Sequence, residues 1–196
     1  DDPTVRELER CTAEVLGKEA ALLVPSGTMA NQLAIRSQAQ AGDEMLLEAE
    51  SHIHWYEGGG PAALSGVSCR VLPGVRGVFT SREVRGARRP LDVHFPPTRL
   101  LAVENTHNRG GGKVWSLEQI RDVCGAAREA GWRTHLDGAR LWNAAVAAGV
   151  AESEYAREFD TVSVCFSKGL GAPVGSVLAG SREVVERARR FRKQFG

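Results

Sequence analysis

Seven short apolar runs, each the length of a buried strand and separated by segments with helical spacing, constrain this chain more than any other feature. They are "AALLV" (20–24), "EMLLEA" (44–49), "VSCRVL" (67–72), "RLLAVEN" (99–105), "WRTHLD" (132–137), "DTVSVCFS" (160–167) and "GSVLAG" (175–180). Most are continuous rather than strictly alternating, so both faces of their sheet must be covered. Between them lie helix signals. Asp2 can cap a helix with Pro3 at its first position, and Val5, Leu8, Thr12, Val15 and Leu16 give that helix one face before Gly17. A tight turn after residue 24 leads into a second helix that should end near Gly42. Ser116-Leu117-Glu118-Gln119 is a capping box, and its helix should run to Gly131 with Ile120, Val123, Cys124 and Ala127 inward. "RLWNAAVAAG" (140–149) and "REVVERARRFRK" (182–193) read as further helices, and residues 73–98 as loop with room for one short helix. This alternation predicts an α/β fold: a mostly parallel, mixed sheet between two helical layers.

The 196 residues suit one domain, 1–196. A net charge of +1 gives no electrostatic case for a nucleic acid or membrane partner. No apolar run approaches the roughly 20 residues a spanning helix needs, and the start carries no signal-peptide pattern. Cys11, Cys69, Cys124 and Cys165 stand singly in apolar contexts, which predicts buried free thiols and a reducing, cytoplasmic location. Both ends read as cuts within a longer protein.

In such sheets ligands bind beyond the carboxyl ends of the strands. After the first run stand Ser26, Gly27 and Thr28, which can hold a phosphate at a helix N-terminus or act as a plain cap. "SHIHWYEGGG" offers His52 and His54 without an evident third ligand, so no metal site is expected. "ENTHNRGGGK" gathers polar side chains, His107 among them, in one loop. Asp137 in "DGAR" is a carboxylate where the sheet opens, with Arg140 one turn on as a possible salt-bridge partner. Lys168 follows the sixth run, beside glycines that would let a flat ligand approach the backbone. A phosphate cup, an acid and a lysine at one sheet edge are the groups that pyridoxal 5′-phosphate needs.

"SGTMANQLAI", "ESHIHWYEGGG", "LLAVENTHNRGGGKVWSLEQI", "HLDGARLWNAAVA" and "VCFSKGLGAPVGSVLAG" together resemble the low-specificity L-threonine aldolases of the β-eliminating lyase superfamily, over nearly the whole chain. The resemblance implies the large domain of a fold-type-I pyridoxal phosphate enzyme. It implies that Lys168 forms the Schiff base, Asp137 binds the pyridine nitrogen, Ser26, Gly27 and Thr28 hold the phosphate, and His52 stacks on the ring. It places His107 near the substrate hydroxyl and Arg140 on the cofactor's phenolic oxygen or the substrate carboxylate. Lys193 would reach the cofactor phosphate of a neighbouring subunit, in a homo-oligomer (dimer or tetramer) with shared active sites. His54 receives no role. The implied reaction is retro-aldol cleavage of L-threonine or L-allo-threonine to glycine and acetaldehyde, with His52, His107 or a held water as base. An N-terminal arm and a small C-terminal domain, both known in the family, have no counterpart in these residues. The alternatives are a lyase for another β-substituted or bulkier β-hydroxy amino acid such as phenylserine, a cofactor-binding fragment without activity, or a nucleotide-binding α/β domain, for which "SGTMAN" lacks the spaced glycines.

Overall fold

A computed structural model describes residues 2–196. Among the described residues the strands are β1 (Ala20–Val24), β2 (Glu44–Glu48), β3 (Ser68–Leu72), β4 (Thr98–Glu104), β5 (Arg133–Gly138), β6 (Thr161–Cys165) and β7 (Ser176–Gly180). The helices are α1 (Pro3–Leu16), α2 (Gly27–Gln38), α3 (His52–Trp55), α4 (Gly60–Ser65), α5 (Ser81–Gly86), α6 (Leu117–Glu129), α7 (Leu141–Ala148), α8 (Glu152–Ala156) and α9 (Arg182–Phe195). The strands form one sheet in the order β1-β7-β6-β5-β4-β2-β3. Its pairs are parallel from β3 through β6, and β7 runs antiparallel to both β6 and β1. The mixed, mostly parallel sheet matches the expectation. β7 is the exception because no crossover helix separates it from β6, and a short connection can only reverse direction. Lying between β1 and β6, it leaves those two parallel, so β1 to β6 all end at one edge.

Pleating assigns successive side chains to opposite faces. Leu101, Val103, Leu136, Val162 and Val164 pack against α1, α5, α6, α7 and α8 in the larger core. The second face carries two smaller cores. Leu22, Val24 and Leu178 pack with Leu33 and Ala34 of α2 and Val185 and Ala188 of α9; Met45, Leu47, Leu100 and Ala102 pack with Ile35, Ile53 and Val67. Between these two cores the same face is polar. His135 and Asp137 of β5 and Thr161 and Ser163 of β6 are all buried there. This polar seam carries the site.

Several local expectations change. The buried face of α1 is Glu9, Thr12, Ala13 and Leu16, with Leu8 and Val15 exposed, because the Glu9 carboxylate accepts the Leu23 N–H at 2.8 Å and turns the helix toward β1. α2 ends at Gln38, where Ala39 becomes extended, rather than near Gly42. Helices α3, α4 and α8 are too short for a period to show in sequence. The capping box at Ser116 forms as expected, both bonds in place. All four cysteines are free, but Cys11 and Cys69 are only partly buried. Burial pushes the Cys69 thiol up to about 11.

Candidate active site

At the end of β1, Ser26 caps α2, its Oγ accepting the Met29 N–H at 3.1 Å. Gly27 and Thr28 follow at the first helical positions, where backbone donors point out of the helix and the dipole favours an anion. Gly27 is required by space. A Cβ there would lie 2.9 Å from Cys165 Sγ and 3.8 Å from Ser176 Oγ, at the end of β6 and the start of β7. Burial is the main reason the Cys165 thiol is pushed up, opposed first by its hydrogen bond with Ser176 and then by the charges of Lys168 and Arg140, while Asp137 adds to the rise. Gly27 follows β1, Asp137 lies near the end of β5 and Lys168 follows β6, so the three stand at the same edge of the sheet. Nearby Gly175 has φ +114°, a conformation that side chains rarely adopt, so it serves the turn into β7 rather than clearing space for a ligand.

Asp137 is buried at the end of β5. Its Oδ1 accepts the Ala139 N–H at 3.2 Å and its Oδ2 accepts Asn31 Nδ2 of α2 at 2.8 Å. The same Asn31 nitrogen donates to Glu57 Oε1 at 2.7 Å. Asn31 Oδ1 accepts from His135 Nε2 at 3.0 Å and from Ser163 Oγ at 2.8 Å. His135 Nδ1 lies 2.9 Å from Thr161 Oγ1, which also accepts from Gln38 Nε2 at 2.7 Å. One tautomer satisfies this chain: Nε2–H donates to Asn31 and Nδ1 accepts from the threonine. Burial holds the His135 pKa down to about 4, which keeps the ring neutral.

His52 stands at the first position of α3, its backbone N–H donating to Glu104 Oε2 at 2.7 Å. Its Nδ1 is 3.0 Å from Glu57 Oε1, and its ring lies 5.5 Å from that of Tyr56. Its pKa is raised chiefly by the Glu57 hydrogen bond, against the effect of burial, with Asp137 and Glu104 adding to the rise. His54 is exposed and joins none of these contacts.

His107 is fully buried. Nδ1 accepts the Gly110 N–H at 3.0 Å, which puts the proton on Nε2, 3.1 Å from Glu48 Oε2 and 3.7 Å from Glu104 Oε2. The Glu48 contact is close but poorly aligned, an electrostatic contact rather than a hydrogen bond. Gly77 covers the ring so tightly that a Cβ would fall 2.0 Å from its Cγ. Burial, then the charge of Asp137, raises the Glu104 pKa. Arg140 Nη1 donates to Asn108 Oδ1 at 3.1 Å. The structure pairs this guanidinium with the "ENTHN" loop rather than with Asp137. Lys193 is exposed on α9, lining a groove with Leu8, Pro25, Met29 and Phe166 beside the cup.

Sequence reasoning missed Asn31, Gln32, Glu57, Ser163 and His135. A usable signal existed for His135, which shares the strand face of Asp137 two residues on. Asn31 and Gln32 are polar residues flanked by apolar helix positions, and nothing in their spacing tells a core amide from a surface one. Glu57 groups with His52 but not with His54, so the histidine pair itself does not come together at the site. His52, Glu57 and Asp137 present ligand atoms within 4.8 Å of one another. The Asn31 amide already donates to both carboxylates, which accounts for their approach without a cation.

A helix N-terminus capped by Ser26, a buried acid held by Asn31 and Ala139, and a lysine after the neighbouring strand fit pyridoxal 5′-phosphate. The fold and this edge define the large domain of a fold-type-I pyridoxal phosphate enzyme. The chain belongs to the beta-eliminating lyase family, which matches residues 1–196. It is 40% identical over 197 residues to the low specificity L-threonine aldolase of Escherichia coli (strain K12), covering 100% of this chain and 58% of that one. It is 42% identical over 199 residues to low-specificity L-threonine aldolase 1 of Arabidopsis thaliana, covering 100% of this chain and 56% of that one. The solved threonine aldolase of Leishmania major superposes with a TM-score of 0.84 at 23% identity, over 95% of this chain and 55% of that one, a likeness of fold. The chain thus spans about half the length of the relatives it matches. Among the described residues no helix is long and apolar enough to cross a membrane.

Proposed function

We propose that the protein cleaves L-threonine or L-allo-threonine to glycine and acetaldehyde, using pyridoxal 5′-phosphate. The observation that carries this reading is Asp137, buried and held by Asn31 at the same edge as His52 and the Lys168 loop. Bound there, the cofactor supplies an electron sink for the pair released when the Cα–Cβ bond breaks. The residues divide the remaining work. Gly27 and Thr28, with the Ser26 cap, hold the phosphate. Asp137 would pair with the ring nitrogen of the bound cofactor and favour its protonated form. Lys168 is the amine that ties the cofactor to the chain. Arg140, steadied by Asn108, orients the substrate carboxylate and with it the bond that breaks. His52 is the better placed base. Its Nδ1 is on Glu57, which leaves Nε2 to take the β-hydroxyl proton as the aldehyde departs, and a proton returned to Cα completes glycine. His107, buried under Gly77 with Nδ1 on a backbone amide, supports the loop that frames this space. Lys193, exposed on α9, would reach the cofactor phosphate of a second copy in a homo-oligomer.

Borohydride reduction followed by peptide mass spectrometry tests the assignment. The cofactor mass should sit on Lys168, and Lys168→Ala should lose both that mass and the visible absorbance. Asp137→Asn should still fold and bind, with turnover reduced about 10²–10³-fold. Attachment elsewhere, or unchanged turnover in Asp137→Asn, would overturn the reading. Aldehyde release measured across threonine, allo-threonine and phenylserine distinguishes this reaction from its bulkier relatives.

A further inference from the structure

We propose that Glu57 is the positioning residue of His52, and that Asn31 ties this pair to Asp137 so that base and ring-binding acid are set as one unit. The assignment of His52 as base rests on the function proposed above; the geometry of the unit does not.

Glu57 follows α3 in a turn, and its side chain has no accessible surface. A carboxylate so placed is costly unless its lone pairs are filled. Three donors fill them: Asn31 Nδ2 at 2.7 Å and His52 Nδ1 at 3.0 Å on Oε1, and Gln32 Nε2 at 2.5 Å on Oε2. Two of the three come from adjacent residues of α2, so the helix that forms the phosphate cup also holds the acid. For His52 the consequence is specific. With Nδ1–H on Glu57, the basic lone pair is on Nε2, and the charge formed when Nε2 accepts a proton develops 3.0 Å from a carboxylate. The other groups facing this ring are Glu104 at the end of β4, Asp137 at the end of β5, and Tyr56 just after its own helix. Among the described residues only Glu57 bonds to a ring nitrogen of His52. Asn31 extends the device, since the two hydrogens of one planar amide are divided between Glu57 and Asp137.

The structure also supplies a clean probe. Gln32 Oε1 is buried without a hydrogen-bond partner, and the Gln32 amide is confined by Gly60, where a Cβ would lie 2.6 Å from it. In Glu57→Gln the new amide oxygen can keep the His52 and Asn31 bonds while its nitrogen faces Gln32. A flip of the Gln32 amide then turns its orphaned oxygen into the acceptor. The substitution removes the charge and preserves shape.

The experiment is histidine C2–H deuterium exchange read by mass spectrometry on the full-length protein, with and without cofactor, which reports a titration midpoint for each ring. In the wild type His52 should titrate above 6.5, the ordinary histidine value. In Glu57→Gln its midpoint should fall, and the acid limb of the kcat/KM profile should move to lower pH with it. kcat should drop about tenfold or more while KM stays within about twofold. A wild-type midpoint at or below 6.5 overturns the proposal even if no variant folds. So does a Glu57→Gln midpoint or acid limb that coincides with the wild type. If borohydride finds no cofactor on Lys168 while the His52 midpoint still falls, the proposed function fails and the Glu57–His52 pair stands.

Discussion

Asn31→Ala is the most searching perturbation of the polar seam. The amide makes four side-chain hydrogen bonds among the described residues: two to carboxylates, Asp137 and Glu57, and two from neutral donors, His135 and Ser163. Bonds to charged groups contribute about 1.5–3 kcal/mol each and neutral ones about 0.5–1.5 kcal/mol, a gross loss of roughly 4–9 kcal/mol. Ser163 keeps a longer contact to the Leu136 carbonyl at 3.5 Å, whereas His135 Nε2–H has no second acceptor among the described residues. A water entering the vacated space recovers part of the loss, leaving about 4 kcal/mol. For a domain of this size that lowers Tm by about 8–16 °C. The assay is thermal unfolding of the cofactor-free protein, followed by near-UV circular dichroism beside the wild type. Ser163→Ala is the internal standard, since it loses one neutral hydrogen bond of about 1 kcal/mol. If Asn31→Ala melts no lower than Ser163→Ala, the seam is not held through the amide, and the case for a single unit of base and acid goes with it.

Two further outcomes follow from the same geometry. Between pH 6.5 and about 4 the unfolded chain binds a proton on His135 that the folded chain refuses, so this residue's contribution is present above 6.5 and lost as pH falls. Stability should decline by about 3 kcal/mol over that window, and chemical denaturation of His135→Gln should show a flatter acid limb; an equal slope would refute the assignment. Gly77→Ala places a Cβ 2.0 Å from His107 Cγ at a φ of +85° and should cost about 2 kcal/mol or more. Gly86→Ala, at the end of α5 with no heavy atom within 4 Å, should be neutral or mildly stabilising, and equal melting of the two variants would contradict the packing around His107.

Legibility in the sequence followed the reach of the forces involved. β4 could be read because Leu100 to Val103 are all buried, alternately in two cores, and a short run that is apolar on both faces belongs inside a covered sheet. The helix at Ser116 was announced by bonds spanning three residues. The positions of Asp137 and Lys168 could be read because strand ends are local features and the sheet collects them at one edge. What escaped depends on contacts distant in sequence. The direction of β7 is set by what it inserts between, and the face of α1 by one carboxylate reaching β1. Glu57 lies five residues beyond His52, off any period, and becomes meaningful only when α2 brings two amides to it.

The division of the second face into two apolar cores with a polar strip between them explains why α2 is built as it is. An uninterrupted apolar face would bury more carbon, but it would take the Asn31 hydrogen bond from the Asp137 carboxylate and leave it the Ala139 N–H, and a buried charge short of donors is costly. The chain resolves this on one helix. Leu33, Ala34 and Ile35 serve the two cores, while Asn31 and Gln32, just before them, turn into the strip. Gly27 and Thr28 stand one turn earlier, about 5 Å along the axis, at the helix N-terminus proposed to hold the phosphate. The N-terminal turn and the amide clamp are therefore spaced by a single helical turn, and a shift of α2 must move Gly27, Thr28 and the amides that hold Asp137 and Glu57 together. This spacing explains why the residues that organise the site lie in the helix core, where a reading confined to strand ends does not look.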